Sequence, residues 1–288
     1  GRVYITGEIS ISNSNFITDG EIYNIVSKVT GKSVETIMTN SKETIFVEIN
    51  IVKQSSEIAN GVDNGGAGDQ SIMVGYACND NEDMIPQELY LARSLCKYLF
   101  SVFPFDGKTQ ITIDEFKNID TIVASFQNVS KKELLESVNV WLKNIGQTAK
   151  PSILFCNPAG DWIQGGFDAD TGLTGRKLMV DNYGPQIPIG GGAFSGKDAT
   201  KVDRSAAYMA RKIAVSLLHE YGAKEVLVKL AYSIGIAEPV MGNALIDGKE
   251  VVIDHERLTP KYIIDNLELR KPQFIKTAEW GHFGNNFL

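Results

Sequence analysis

The sequence has few residues of the kinds that build disulfide or metal scaffolds. Its 288 residues include three cysteines, Cys78, Cys96 and Cys156, which are far apart and form no Cys-x-x-Cys pair, and only three histidines. An odd number of isolated cysteines argues against a disulfide framework and against a zinc knuckle. Free thiols are typical of a reducing compartment, so we predict a cytoplasmic location.

Long apolar runs and an excess of positive charge are also absent. No apolar run approaches the roughly 20 residues that a membrane-spanning helix needs. Lys and Arg total 28 against 35 Asp and Glu, giving a net charge of −7. This balance argues against a general nucleic-acid coat and against binding to anionic membranes, so we expect no nucleic-acid and no membrane partner.

The periodicity of the apolar residues predicts an α+β fold with mostly antiparallel or mixed sheets and helices on one face. Alternating residues predict strands at 3–11 and 44–52. A Ser-x-x-Glu capping box at 130–133 predicts the start of one helix, and Gly222 the end of another that begins near Asp203. Strands followed by a helix recur three times along the chain, which suits α+β better than strict βαβ alternation.

Three loops combine glycine with cations and carboxylates. They lie at 105–108, 168–177 and 190–204. Glycine lets backbone amides approach an anion, and Lys or Arg supplies the neutralising charge. Mg²⁺ commonly sits between acidic side chains and substrate phosphates, so the carboxylates in these loops are candidate ligands. Together the loops predict a polyphosphate site.

Two other phosphate motifs are weaker alternatives. Residues 191–197 match GxxxxGK, but Asp198 stands where a P-loop needs Ser or Thr, and no buried strand leads into the loop. The segment Asp168-Ala-Asp170-Thr171 is similar to the nucleophile motif of haloacid-dehalogenase-type phosphatases, but Gly165-Gly166-Phe167 precedes it instead of a hydrophobic strand. A generic nucleoside-triphosphate hydrolase is therefore one possible function of the chain.

Several segments resemble those of the S-adenosylmethionine synthetase (methionine adenosyltransferase) family. The nonapeptide Gly-Gly-Gly-Ala-Phe-Ser-Gly-Lys-Asp at 190–198 is the most specific of them. The others are Gly66-Ala-Gly-Asp-Gln70, Gly172-Leu-Thr-Gly-Arg-Lys177, Lys201-Val-Asp-Arg-Ser-Ala-Ala-Tyr208 and Gly281-His-Phe-Gly284. The resemblance extends from about Gly7 to the end of the chain.

The resemblance implies a fold of three similar sheet-plus-helix sections around a pseudo-threefold axis. Residues 1–56 would be the remainder of an N-terminal section, 65–163 the central section and 164–288 the C-terminal section. Residues 54–64 would form a mobile gating loop. The family assembles as a dimer or tetramer with active sites shared between subunits, so we expect self-association.

The resemblance also implies that the chain transfers the adenosyl group of ATP to the sulfur of L-methionine. Triphosphate is released and then hydrolysed to pyrophosphate and phosphate, with Mg²⁺ and K⁺ as cofactors. Asp203 would bind Mg²⁺, and the catalytic residues would be Lys197, Arg176, Asp170 and Asp69. The expected ATP-binding residues are Asp106, Gly107, Lys108, Asp161, Trp162, Asp170, Arg176, Lys177, Ala193 and Lys197. The expected methionine-binding residues are Glu8, Gln54, Asp170 and Lys201.

The sequence departs from the family pattern in three places. First, it lacks the family's His-Pro-Asp-Lys segment with its catalytic His, and also the potassium-binding Glu that follows it. Second, the stretch at 63–66 is shorter than is usual in the family. Third, the segment before Asp106 is also shorter. One explanation is that residues outside this sequence supply the segment. The alternative is a half-site or non-catalytic subunit that needs a partner chain. In either case we expect residues 1–288 alone to lack full activity.

Overall fold

The computed structural model describes residues 1–9, 17–35, 37, 41, 43–54 and 65–284. The chain forms two compact units. The first comprises Gly1–Asn60 with Gln164–Gly172, and the second comprises Gly61–Ile163 with Leu173–Leu288. All but the first residue of the predicted gating loop at 54–64 lies outside the described residues.

The first unit contains one small sheet and one helix. Its elements in chain order are β1 (Arg2–Ile9), α1 (Asp19–Thr30), β2 (Ser33–Glu35), β3 (Thr44–Lys53) and a 3₁₀ turn (Gly166–Asp168). The strand order is β1-β3-β2, and both pairings are parallel. A parallel pair requires a crossover connection, and α1 lies between β1 and β3 in the chain. Ile22 and Val26 of α1 pack against Ile45 and Val47 of β3.

The second unit contains the remaining helices and strands of the described chain. In chain order they are β4 (Ser71–Cys78), α2 (Gln87–Val102), β5 (Gly107–Ile113), β6 (Ile119–Phe126), α3 (Lys131–Asn144), β7 (Ile153–Cys156), α4 (Leu178–Asp181), α5 (Val202–Tyr221), β8 (Glu225–Tyr232), β9 (Met241–Ile246), β10 (Lys249–Val252), α6 (Pro260–Asn266) and α7 (Ile275–Glu279).

The larger sheet of this unit joins strands from distant parts of the chain. Its order is β10-β9-β8-β4 with antiparallel pairing throughout, and β4 pairs with β8 over the whole strand, from Ser71↔Tyr232 to Cys78↔Glu225. The helix α5 packs on β4 so closely that a Cβ atom added to Gly75 would lie 2.0 Å from the carbonyl carbon of Ala210. This contact fixes the position of α5, whose first turn carries Asp203.

The smaller sheet has the order β5-β6-β7, with one antiparallel and one parallel pair. Ile122, Leu134 and Trp141 belong to the core that this sheet shares with α2 and α3. The predicted capping box is present, because Ser130 Oγ accepts from the Glu133 amide while Glu133 caps Ser130 in return. The helix α3 therefore starts where its sequence indicates.

The α+β prediction is confirmed by three sheets with accompanying helices. The pseudo-threefold arrangement of the sections stays a prediction. The sequence patterns described above indicate neither β9 nor the short helix α7. Cys78 and Cys156 are buried, and Cys96 is partly buried. No helix in the described part of the chain has the length and apolarity that crossing a bilayer requires.

Candidate functional site

The start of α5 lies against the predicted polyphosphate loop, residues 190–198, called here the glycine loop. Asp203, in the first turn of α5, is only 3% exposed. Its Oδ1 accepts from the Gly192 amide at 3.0 Å, and its Oδ2 accepts from Lys197 Nζ at 2.5 Å. The buried carboxylate therefore fixes both the backbone of the loop and its one cation.

The glycines at the front of this loop are required by close contacts. A Cβ on Gly191 would lie 2.3 Å from Asp203 Oδ1 and 2.5 Å from Ser71 Oγ, and one on Gly192 would lie 2.9 Å from Lys197 Nζ. Any larger residue would displace the ion pair. Glycine is present here because the backbone must approach charged side chains, which is also what a backbone needs in order to approach a polyphosphate.

Arg204 of α5 binds the later part of the glycine loop, residues 194–197. It is 3% exposed, and its Nη1 donates to the Lys197 carbonyl at 2.7 Å and to the Phe194 carbonyl at 3.3 Å. Its Nη2 donates to Thr277 Oγ1 at 3.1 Å, and the guanidinium lies 3.5 Å from the ring centroid of Phe274. Hence Arg204 has a structural position, with its charge directed at carbonyls of the loop.

A second predicted loop packs against the glycine loop. A Cβ added to Gly175 would lie 2.4 Å from Ala193 Cβ, so the backbone at Gly175 touches Ala193 directly. Arg176 and Lys177 follow Gly175 and are both exposed. The structure therefore brings the Arg176 loop next to the loop that carries Lys197.

The predicted residue Asp69 lies near the same place. It is exposed, and its Oδ1 accepts from the Gln70 amide at 2.8 Å. Two residues later, Ser71 borders Gly191. Lys201, at the N-cap position of α5, is half-buried, and its carbonyl accepts from Ser205 Oγ at 3.3 Å.

The remaining nucleotide-binding candidates of this unit form a separate group on the smaller sheet. The Gln127 amide donates to the Asp106 carbonyl at 2.9 Å, and the Asn128 amide donates to the Trp162 carbonyl at 2.9 Å. Asp161 Oδ1 accepts from the Lys131 amide at the start of α3 at 2.8 Å. The loops at the ends of β5, β6 and β7 thus meet here. Two predicted residues, Gly107 and Lys108, pair with Phe126 and Ser125 of β6.

The predicted methionine-binding residues of the first unit lie at neighbouring strand ends. Glu8 pairs with Val52, and the Gln54 amide donates to the Ile9 carbonyl at 3.1 Å. The carboxylate of Glu8 is exposed. Asp170 belongs to the same unit and is exposed, with its Oδ1 accepting from the Thr171 amide at 2.7 Å. Glu8 and Gln54 are therefore brought together at the carboxyl ends of β1 and β3.

The described residues contain no group of three or more His, Cys, Asp or Glu side chains arranged to hold a metal. Asp203 is the predicted Mg²⁺ ligand, and both of its oxygens accept hydrogen bonds within the protein. Mg²⁺ is usually held by one or two carboxylates together with substrate phosphates and water. A single carboxylate of this kind fits only an ion that arrives with a polyphosphate.

The sequence assigned no role to His282 and Tyr208, which lie beneath the glycine loop, or to Ser195 within it. His282 is 1% exposed; its Nε2 lies 2.9 Å from Ser195 Oγ and its Nδ1 lies 2.7 Å from Tyr208 Oη. Burial, with the nearby charges of Arg204 and Arg93, lowers the pKa of His282 to about 4. The family resemblance includes the segment Gly281-His-Phe-Gly284, but the sequence could not show what His282 contacts. Ser195 and Tyr208 are far from it in the chain, so their contacts leave no local sequence pattern.

Two family models match the chain over most of its length. The model described as "S-adenosylmethionine synthetase, central domain" matches residues 64–162. The model described as "S-adenosylmethionine synthetase, C-terminal domain" matches residues 164–288.

Curated proteins and solved structures give the same family. A protein named S-adenosylmethionine synthase from Petrotoga mobilis is 41% identical, over 84% of this chain and 71% of the relative. One of the same name from Salinibacter ruber is 38% identical over 99% of this chain and 82% of the relative. A solved structure titled "Structure of an Unusual S-adenosylmethionine synthetase from Campylobacter jejuni" is similar with a TM-score of 0.81 and 29% identity, covering 99% of this chain and 84% of that one.

Proposed function

This chain belongs to the S-adenosylmethionine synthetase family, and on that premise we propose that it transfers the adenosyl group of ATP to L-methionine. A lone pair of the methionine sulfur forms the bond to C5′ of the ribose. The bond from C5′ to the triphosphate oxygen breaks, and its electron pair leaves with the triphosphate. Water then cleaves the triphosphate to pyrophosphate and phosphate.

The observation that supports this proposal most is the contact between the two cation-bearing loops. Lys197 is held on the glycine loop by Asp203, and the Arg176 loop touches that loop through Gly175 and Ala193. A triphosphate carries several negative charges, and donors fixed in advance stabilise a departing anion without having to reorganise. We propose that Lys197, Arg176 and Lys177 bind this anion.

The chemistry needs positioning more than proton transfer. A thioether sulfur has no proton to lose, so no general base is required on the nucleophile. The site must instead hold sulfur in line with C5′ and stabilise the leaving group. This requirement agrees with loops that carry cations and backbone amides.

We propose the substrate contacts by extension of the family pattern. For methionine they are Glu8, Gln54, Asp170 and Lys201, with Asp69 and Asp170 facing the amino group and the developing sulfonium. For the nucleotide they are Asp106, Gly107, Lys108, Asp161, Trp162 and Ala193. The half-buried ring of Trp162, whose carbonyl accepts from Asn128, offers an apolar surface for adenine.

The family is generally metal-dependent, and we propose Mg²⁺ and K⁺ as the ions for this chain. Mg²⁺ would bind at Asp203 and, once bound, would offset charge on the triphosphate. K⁺ is proposed from the family resemblance alone. We also propose a cytoplasmic enzyme that works as a dimer or tetramer, with residues 1–56, 65–163 and 164–288 as its three sections and 54–64 as the gating loop.

Product analysis with labelled methionine tests the reaction. The purified protein is incubated with ATP, Mg²⁺, K⁺ and methyl-labelled L-methionine, and S-adenosylmethionine is quantified by chromatography. We expect product only when both substrates are present, and at less than full activity, because residues 1–288 lack the His-Pro-Asp-Lys segment. Lys197→Ala should lower the rate on the order of 10²–10³, by analogy with the loss of one electrostatic donor to a transition state. Lys132→Ala, on the exposed start of α3, is the matched control and should keep the wild-type rate.

Two other outcomes separate the alternatives. Triphosphate cleavage that does not change when methionine is added would contradict the proposal and favour a generic hydrolase. Product that appears only after a second chain with a His-Pro-Asp-Lys segment is added would favour the half-site alternative. A near-normal rate in Lys197→Ala would remove that residue from its role.

A further inference from the structure

A chain of hydrogen bonds runs beneath the glycine loop and ends on Ser195. Arg204 Nε donates to Tyr208 Oη at 3.1 Å, Tyr208 Oη lies 2.7 Å from His282 Nδ1, and His282 Nε2 lies 2.9 Å from Ser195 Oγ. Arg204, Tyr208 and His282 are each buried to 97% or more. Ser195 is two residues from Lys197.

The donor chemistry fixes the first bond of this chain and limits the other two. A guanidinium nitrogen can only donate, so Tyr208 Oη accepts from Arg204 and keeps a proton and a second lone pair. A neutral imidazole carries one ring proton, so His282 donates to one of Tyr208 and Ser195 and accepts from the other. Ser195 is thus bonded to the imidazole in either tautomer.

We propose that His282 is a positioning residue for the polyphosphate reaction: through its bond to Ser195 it holds the glycine loop in the shape that places Lys197. The inference rests on the proposed function for its link to the triphosphate. It assigns a role to the Gly-His-Phe-Gly segment, which supplies neither a proton nor a charge to the substrate.

The packing around the histidine supports this role. The same Arg204 that orients Tyr208 donates from Nη1 to the carbonyls of Phe194 and Lys197. The ring of Phe194 meets the imidazole edge-on, with 4.9 Å between ring centroids. Three attachments of the glycine loop therefore depend on one buried network: those at Phe194, Ser195 and Lys197. Because His282 stays neutral over the physiological range, its hydrogen bond to Ser195 does not vary with pH there.

The position of the segment is itself anchored from two sides. The His282 amide donates to the Asp181 carbonyl at 2.9 Å. Arg93 of α2 donates from Nη1 to the Phe283 carbonyl at 2.6 Å, and the Phe283 ring stacks on Tyr183 with 4.6 Å between centroids. The imidazole is therefore held on a rigid support, as a positioning group requires.

The first test removes only the Ser195 hydroxyl. Ser195→Ala is compared with Ser94→Ala, which likewise removes a half-buried hydroxyl, one that accepts from the aromatic N–H of Trp141 at 3.2 Å. In Ser195→Ala we expect roughly tenfold faster amide hydrogen exchange at 194–198 and roughly tenfold weaker binding of inorganic tripolyphosphate, since one hydrogen bond is lost. The methionine KM should stay within about twofold, and Ser195→Thr should restore both values.

A spectroscopic measurement tests the tautomer without any substitution. NMR of the full chain with ¹⁵N-labelled histidine should show His282 as one neutral tautomer at pH 7, because both of its ring nitrogens are held by partners. Rapid exchange between the two tautomers would overturn the inference, and so would amide exchange and tripolyphosphate binding in Ser195→Ala equal to those of Ser94→Ala. Tautomer and exchange need no substrate, so they decide this inference even if the wild type forms no S-adenosylmethionine, a result that would overturn the proposed function alone.

Discussion

The ion pair between Asp203 and Lys197 joins a buried carboxylate to a partly exposed ammonium. The side chain of Asp203 is 4% exposed, whereas that of Lys197 is 32% exposed, so water reaches one end of the ion pair and weakens it. Asn at position 203 keeps the side-chain volume and one oxygen that can accept a hydrogen bond. It has no negative charge, so the ammonium of Lys197 would face an amide NH₂ group or a neutral oxygen. The pair therefore serves to place Lys197 more than to stabilise the fold.

For Asp203→Asn we expect a loss of about 1 kcal/mol in the free energy of unfolding, because solvent at Lys197 screens the ion pair. In a unit of this size that corresponds to a fall of roughly 2–4 °C in Tm. The rate of S-adenosylmethionine formation should fall much further, because Lys197 is no longer oriented. Glu268→Gln, at the exposed pair with Lys271, is the control and should leave both values unchanged. Equal activity in the two variants would contradict the positioning role.

The buried imidazole of His282 makes stability depend on pH. Its folded pKa of about 4 lies below the usual value of 6.5, so in the unfolded chain the ring takes up a proton at a higher pH. Unfolding is then favoured as the pH falls from 6.5 to 4, and the stability present at neutral pH is lost in that window. The difference amounts to roughly 3 kcal/mol.

Denaturant titrations at pH 7 and pH 4.5 measure this effect. The wild type should lose more stability between the two values than His282→Gln, which has no group titrating there at this position. Carboxylates elsewhere titrate equally in both proteins, so the difference between the two losses isolates the imidazole. If both proteins lose the same stability, His282 is not buried in its neutral form.

At the scale of elements, α5 and β4 are packed as closely as backbones allow. A methyl group at Gly75 would meet backbone atoms of Ala210 and Arg211 at 2.0–2.4 Å, and neither can move without shifting the helix. We expect Gly75→Ala to destabilise the second unit by about 1–3 kcal/mol or more, through overpacking. The control is Gly20→Ala, which adds a methyl group at an exposed position of α1 with no atom closer than 3.9 Å. The Tm of the Gly75→Ala protein should fall well below that of this control. A Gly75→Ala protein as stable as the wild type would show that the helix can move away.

The elements also show which features local sequence encodes. The capping box at Ser130 and the glycine stop at Gly222 predicted helix ends correctly, because both depend on bonds within a few residues. The glycine loop could be found from composition, since close backbone approach to charge demands glycine. The His282–Ser195 bond could not, because its partners are 87 residues apart and meet only after α5 and the end of the chain have packed.

At the scale of the molecule, the second unit is held together by a strand that is distant in sequence from its sheet. β4 precedes α2 and α3, yet it completes the sheet formed by β8, β9 and β10 and lies beneath α5. Arg211 of α5 adds three donations from its guanidinium to carbonyls of Tyr76, Asp83 and Met84 at 2.7–2.8 Å. The segments matched by the central and C-terminal family models therefore share one sheet.

We expect a fragment of residues 173–288 not to fold by itself, whereas residues 65–288 should unfold in one cooperative transition. Without β4 the fragment exposes the edge of β8 and the apolar face of α5, and an open edge with unpaired N–H and C=O groups favours aggregation. Calorimetry and size-exclusion chromatography measure both properties. Co-expression of residues 65–172 with residues 173–288 is the matched control, because it restores β4 from a separate chain and should recover a soluble complex. A soluble, cooperatively folded 173–288 fragment would show that the sheet does not depend on β4.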